Sequence, residues 1–170
     1  MSLPSFLRSS PVRYRPLILE LKELPKAVAE ACLRVLDKWD LYFLLRFTLS
    51  TSLMKRPNQP DVSWWDHPWI FDRCRDLQDN PNRVHLWARE HGKSTCITFG
   101  LTIQEILRNP EETIGIFSHT RPIAKAFLRK IKVELEQNER LKPRHPDALY
   151  LDPQNESPKW NEDEGITVKR

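Results

Sequence analysis

The 170-residue chain predicts an α/β fold, a parallel-rich sheet built of βαβ units and preceded by a helical N-terminal subdomain. Three observations carry this. Val84, Leu86 and Ala88 alternate with Arg83, His85 and Trp87, the period-2 pattern of a strand. From Lys93 the chain runs through Ile97, Leu101, Gln104 and Ile106 to Asn109-Pro110 without an internal proline, one helix with a stop. A second apolar run, Thr113 to Ser118, then follows. Strand, helix and strand within about 35 residues is the length of a βαβ unit, whose crossover is right-handed.

Residues 1–54 form the expected helical N-terminal region. Its start carries Pro4, Pro11 and Pro16, each of which interrupts a helix, so residues 1–23 are irregular at first. Pro25 suits a first helical position, and Val28, Cys32, Val35, Leu36 and Trp39 recur at helical spacing. Leu41, Phe43, Leu44, Leu45 and Phe47 make the end of this region apolar nearly all round, which calls for burial.

Residues 55–82 read as a connector rich in Pro, Asn and Asp that carries Trp64, Trp65 and Trp69. Indole rings at this density serve either as stacking platforms for a base or adenine, or as large apolar pins that hold a long loop to its domain. Ile70 to Leu77 has short helical spacing and leads through Asn80-Pro81-Asn82 into the first strand.

Residues 83–170 form the third region, the front part of the expected sheet domain. After the second strand, His119-Thr120-Arg121-Pro122 makes a turn with proline at the start of a further helix. Ile123, Phe127, Ile131 and Leu135 mark its apolar face, and Lys125, Arg129, Lys130 and Lys132 lie mostly elsewhere. Beyond Pro143 the pattern dissolves until a short final strand, Ile166 to Arg170.

The junction of the first strand and its helix bears the chemistry. Gly92-Lys93-Ser94-Thr95 matches the end of G-x-x-x-x-G-K-[ST], with Trp87 where the first glycine usually stands. Such a loop wraps a triphosphate in backbone N–H groups, its Lys neutralises the outer phosphates and its hydroxyl holds Mg²⁺. A helix N-terminus just past a strand end adds partial positive charge and free donors. A bare Gly-Lys-Ser-Thr recurs by chance, and its support is the strand before and the helix after; together these predict a P-loop NTPase-type sheet.

The net charge of +4 permits a polyanionic partner without identifying one. Basic residues concentrate in two places: ten Lys/Arg against five Asp/Glu over residues 1–60, and eight against three over 121–144. Either solvated helix faces or a nucleic-acid surface accounts for them. Cys32, Cys74 and Cys96 are odd in number and widely spaced, which fits a reducing compartment and neither a disulfide scaffold nor a zinc site. No stretch approaches the ~20 apolar residues of a membrane span, and Met1-Ser2-Leu3-Pro4 lacks a signal-peptide pattern, so a soluble, intracellular protein is expected.

Taken in order, Leu86 to Thr95, Ile114 to Arg121 with Ala124, Glu136-Gln137-Asn138, and Trp160 with Ile166 to Arg170 resemble the ATPase part of the large terminase subunit of tailed bacteriophages. Asp40 to Leu44 and His67-Pro68-Trp69 resemble it too, so the similarity covers most of the chain from about residue 38. The resemblance implies an ATP-driven motor that packages double-stranded DNA into procapsids in the bacterial host cytoplasm. Its implied partners are the portal, the procapsid and the small terminase subunit, and the full-length protein would form a ring.

By the resemblance, ATP and Mg²⁺ are the cofactors. Lys93 would contact the β- and γ-phosphates, Ser94 would hold Mg²⁺, and the N–H groups of Glu90, His91, Gly92, Ser94 and Thr95 would line the cradle. Arg89 stands where the family carries an arginine that stabilises γ-phosphate charge or senses nucleotide state, the catalytic candidate; a salt bridge to Glu90 is its alternative. His119, Thr120 and Arg121 occupy a strand-end coupling position, which gives Arg121, Lys125 and Arg129 a possible DNA-backbone role beside that of a solvated face.

An apolar strand ending in paired carboxylates, which would position Mg²⁺ and the attacking water, does not follow the second strand. Asp147, Asp152, Glu162, Asp163 and Glu164 all sit in polar surroundings. The expectation is therefore the front part of a terminase, lacking the hydrolytic acidic motif and the nuclease domain. The alternatives are a non-catalytic prophage remnant or docking module, and a small-molecule P-loop kinase.

Overall fold

The computed structural model describes residues 14–49 and 67–169. The expectations for Pro4, Pro11, Trp64, Trp65 and Arg170 fall outside them. The chain divides into two compact units, Met1–His91 and Gly92–Arg170, each with its own core.

Unit 1 is helical. α1 (Tyr14–Lys22) takes Pro16 into its first turn, where no backbone N–H is required, so this proline starts a helix instead of interrupting one. α2 (Lys26–Trp39) follows Pro25. α3 (Leu41–Phe43) continues into a π-helical stretch, Leu44–Thr48. The apolar run is buried as expected, with Leu41, Tyr42, Leu44 and Leu45 fully inaccessible. The apolar spacing along α2 is less faithful: Leu36 is buried, but Val28 and Val35 remain exposed. α4 (Pro68–Asp79) begins after His67, whose Nδ1 accepts from the Trp69 N–H at 3.1 Å, and buries Ile70, Phe71, Cys74 and Leu77.

An aromatic cluster joins these helices. Tyr14 packs against Tyr42, Phe43, Phe47 and Phe71 with ring centroids 5.3 to 6.2 Å apart. Aromatic residues bring large buried area and prefer tilted or edge-on contacts of this kind.

Unit 2 opens at Gly92. A π-helical stretch, Thr95–Leu101, runs straight into α5 (Thr102–Arg108), which ends at Asn109 before Pro110 as the sequence predicts. α6 (Arg121–Gln137) has Pro122 in its first turn. It packs on the π-helical stretch, and Cys96, Phe99, Ile103, Leu107, Ile131 and Leu135 are buried. α7 (Leu141–Arg144) and α8 (Pro153–Glu156) are single turns. β1 (Trp160–Asn161) and β2 (Gly165–Ile166) pair antiparallel, Trp160 with Ile166 and Asn161 with Gly165.

That hairpin is the only sheet among the described residues, so the predicted parallel-rich sheet is not there. The two expected core strands, 84–88 and 113–118, form no ladder. Alternation is present in the first, but its sense is reversed. His85 and Trp87 are half-buried, with His85 Nδ1 3.8 Å from Asp76 Oδ2 and the Trp87 ring against Trp69, whereas Val84 and Leu86 are 87% and 88% exposed. Phe117 is 94% exposed. A strand of a parallel sheet is covered on both faces and hydrogen-bonded on its edges. These segments lack both, because helices supply the core of each unit. Of the expected final strand only Ile166 pairs, in the hairpin strand Gly165–Ile166.

Candidate functional site

The unit boundary falls inside the Gly-Lys-Ser-Thr motif's loop, between His91 and Gly92, so each half belongs to its own unit. In unit 1, Trp69 anchors the approach to the loop. Its ring meets Trp87 edge-on at 5.2 Å and the imidazole of His91 at 5.4 Å. Trp69 is thus a pin for the loop, one of the two uses its composition allows. His91 Nδ1 lies 2.7 Å from the carbonyl of Arg89. A carbonyl only accepts, so this nitrogen carries the proton. Glu90 takes φ 65°, a left-handed conformation that non-glycine residues rarely adopt. Arg89, Glu90 and His91 are exposed.

In unit 2, Gly92 has φ 74°, and its carbonyl accepts the first helical hydrogen bond from Cys96 N at 2.9 Å. Lys93, Ser94 and Thr95 therefore occupy the first turn, where backbone N–H groups precede the i→i−4 ladder. Lys93 and Ser94 are exposed and Thr95 is half-buried. The π-helical stretch that follows places this turn next to a wide-wound segment of a kind common at functional sites. A left-handed glycine feeding a helix N-terminus is one part of what the motif requires; the strand expected before it is not formed.

His119 and Thr120 lie exposed ahead of α6, with Thr120 at its N-cap. Arg121, Lys125 and Arg129 share one side of α6, but they face carboxylates of the hairpin turn. Asp163 Oδ1 accepts from Arg121 Nη2 at 3.0 Å and from Lys125 Nζ at 2.7 Å. Glu162 takes Arg129 in a two-point grip, Nε at 2.8 Å and Nη2 at 2.6 Å. These contacts hold both carboxyls below the usual carboxylate range, through the hydrogen bond from Arg129 for Glu162 and that from Lys125 for Asp163. A groove of about 530 Å³ opens beside them, lined by Ile114, Ile116, Ala124, Leu128 and Ile166.

One constellation is illegible from the sequence. The fully buried carboxylate of Asp40 accepts from Tyr14 Oη, from Phe43 N at 2.9 Å and from Arg75 Nη2 at 2.8 Å. The Arg75 guanidinium also lies over the Phe71 ring, 4.9 Å from its centroid. Burial works against the charge of Arg75, but Asp40 and Tyr14 outweigh it and raise its pKa. Gln78 closes the network, accepting from Leu41 N at 3.1 Å and donating to Trp39 O at 2.9 Å. A charged Asp after an apolar helix end and an Arg inside an amphipathic helix are separately visible, but nothing local pairs residues 35 apart. This network is architectural, since it welds α1, α3 and α4.

No family model, curated protein or solved structure matches the chain. Among the described residues, no helix is long and apolar enough to cross a membrane.

Proposed function

We propose that the chain is an ATP-binding part of a phage DNA-packaging terminase large subunit, with Gly92 to Thr95 as the phosphate-binding turn. The observation that carries it is Gly92 itself. Its left-handed backbone and its bond from Cys96 N leave the N–H groups of Lys93, Ser94 and Thr95 in the first turn of a helix, where an anion is favoured. The sequence there is the Lys-Ser-Thr that phosphate chemistry requires.

In this reading the Lys93 ammonium would neutralise the outer phosphates, the first-turn amides would orient them, and the Ser94 hydroxyl would hold Mg²⁺. The amide and guanidinium roles that the resemblance gives Glu90, His91 and Arg89 rest on the motif alone, since these residues belong to unit 1. Mg²⁺, when bound, neutralises charge between the β- and γ-phosphates. The order of motifs from Leu86 to Arg121 supports the packaging class, and with it double-stranded DNA, the portal, the procapsid and the small terminase subunit as partners. Titration of a fluorescent ATP analogue with Mg²⁺ tests the nucleotide reading. The chain should bind with micromolar to millimolar affinity and Lys93→Ala at least tenfold more weakly; equal binding by the two would remove the phosphate assignment.

The exposure of Val84, Leu86 and Phe117 favours a second reading, a non-catalytic docking module that buries these side chains against a partner. It predicts no thermal shift with Mg-ATP, and procapsid binding that Leu86→Ser and Phe117→Ser weaken.

A further inference from the structure

The acidic turn between β1 and β2 covers the basic side of α6. Arg121, Lys125 and Arg129 recur every four residues and Lys132 lies three further on, so they share one side of the helix. At 1.5 Å per residue, Arg121 and Arg129 are about 12 Å apart along the axis. Against this row stand two carboxylates: Asp163 bridges Arg121 and Lys125, and Glu162 holds Arg129. Lys132 and Lys125 add to the field that depresses the Glu162 carboxyl. Four cations thus face the two carboxylates of the turn, with Glu136 one helical turn beyond Lys132 on the same side, and a small excess of positive charge remains. The neighbouring Glu164 is 3.8 Å from Lys159.

The turn is built to present these acids. Asn161 Oδ1 accepts from Asp163 N at 3.0 Å and Glu164 N at 2.7 Å, and Gly165 at φ 108° reverses the chain. Behind it, Thr167 N donates to Lys159 O at 2.8 Å, and Trp160 Nε1 donates to Glu136 Oε1 at 3.3 Å. The two guanidinium groups reach water, Arg121 74% and Arg129 66% exposed, as does Asp163 at 60%, while Lys125 and Glu162 are more covered at 33% and 20%. Exposed ion pairs are weak and exchangeable. The guanidinium fork of Arg129 that grips a carboxylate at two points grips a phosphate in the same way.

We infer that this side of α6 is a surface for nucleic-acid phosphates, and that Glu162 and Asp163 cover it as an intramolecular phosphate mimic that the nucleic acid displaces. A lipid surface fits less well, because the apolar residues a membrane-lying helix would insert, Ile131 and Leu135, are buried in the core. The inference rests on the DNA-handling reading but not on the nucleotide loop, so a chain that fails to bind ATP can still pass its test.

The test is fluorescence anisotropy of a labelled mixed-sequence duplex at 50 and 200 mM salt. Glu162→Gln/Asp163→Asn should bind about tenfold more tightly than the natural chain at low salt, with a salt slope steeper by about two phosphates. Glu20→Gln/Glu139→Gln, which changes net charge equally at exposed positions outside the turn, should stay within about threefold. Arg121→Gln/Lys125→Gln/Arg129→Gln should lose binding, also when combined with the neutralised turn. Unchanged affinity on neutralising the turn, or a gain matched by this control, overturns the mask. Duplex binding indifferent to the three cations overturns the surface itself, as does binding of anionic vesicles in preference to duplex.

Discussion

Arg75 donates to the Asp40 carboxylate at 2.8 Å across 35 residues of chain, and this pair is the joint of unit 1. Asp40 is wholly inaccessible and the Arg75 side chain 11% exposed. A buried pair of this kind adds little over well-packed apolar residues, but removing one partner strands the other's charge. Arg75→Ala should therefore cost about 3–5 kcal/mol of unfolding free energy. Urea denaturation checks this, and Arg75→Met with Asp40→Leu should recover much of the loss.

Tyr14 sets an alkaline limit. Its hydroxyl is pushed far above the ordinary phenol value, first by burial and then by the charge of Asp40. A raised folded-state pKa means that the contribution is fully present below the unfolded value near 10 and is lost as pH rises beyond it. The urea midpoint should fall above about pH 10, and Tyr14→Phe should flatten that fall. Absorbance titration compared with Tyr14→Phe should show that Tyr14 ionises only with unfolding.

The acidic turn should behave in the opposite sense. Glu162 and Asp163 have lowered carboxyl pKa values, so their contribution is present above the unfolded carboxylate range and lost as pH falls through the folded values. Amide resonances of Asn161 to Gly165 should move as the turn leaves α6 below about pH 4, with Arg129→Gln shifting the transition upward.

Gly92 is a conformational requirement. Alanine at φ 74° should cost about 1–2 kcal/mol in thermal unfolding. Glu90→Gly at φ 65° relieves comparable strain but frees the unfolded chain, so its stability should change by less than about 0.5 kcal/mol. A larger loss for Glu90→Gly would show that its side-chain contacts outweigh the strain.

The absence of a parallel sheet among the described residues has its own check. Leu86→Ser and Phe117→Ser should each change stability by less than about 0.5 kcal/mol, as surface substitutions do. Had these residues been strand positions in a core, truncating the phenylalanine would cost about 3–5 kcal/mol.

Local periodicity was a good guide wherever the neighbours in sequence decide the outcome. Asn109-Pro110 stops a helix, Pro122 starts one, and the run from Leu41 to Leu45 is buried, because each depends on a few adjacent side chains. Strand positions depend on partners elsewhere in the chain, and here the pattern misled. His85 and Trp87 face the Asp76 and Trp69 side chains of α4 and leave Val84 and Leu86 outside, a reversal that no alternation of residue types can signal. The candidate loop was legible as Gly-Lys-Ser-Thr because the motif is four consecutive residues. The meeting of Glu162 with Arg129, 33 residues apart, was not, since each reads separately as a solvated charge.

The phosphate-binding turn is tested most directly by backbone amide NMR of the full chain titrated with Mg-ATP. The largest shifts should fall on Gly92, Lys93, Ser94, Thr95 and Cys96 and be lost in Lys93→Ala, with inorganic triphosphate reproducing most of them. Shifts centred elsewhere, or amides of Gly92 to Cys96 that do not move at millimolar ATP, would contradict it.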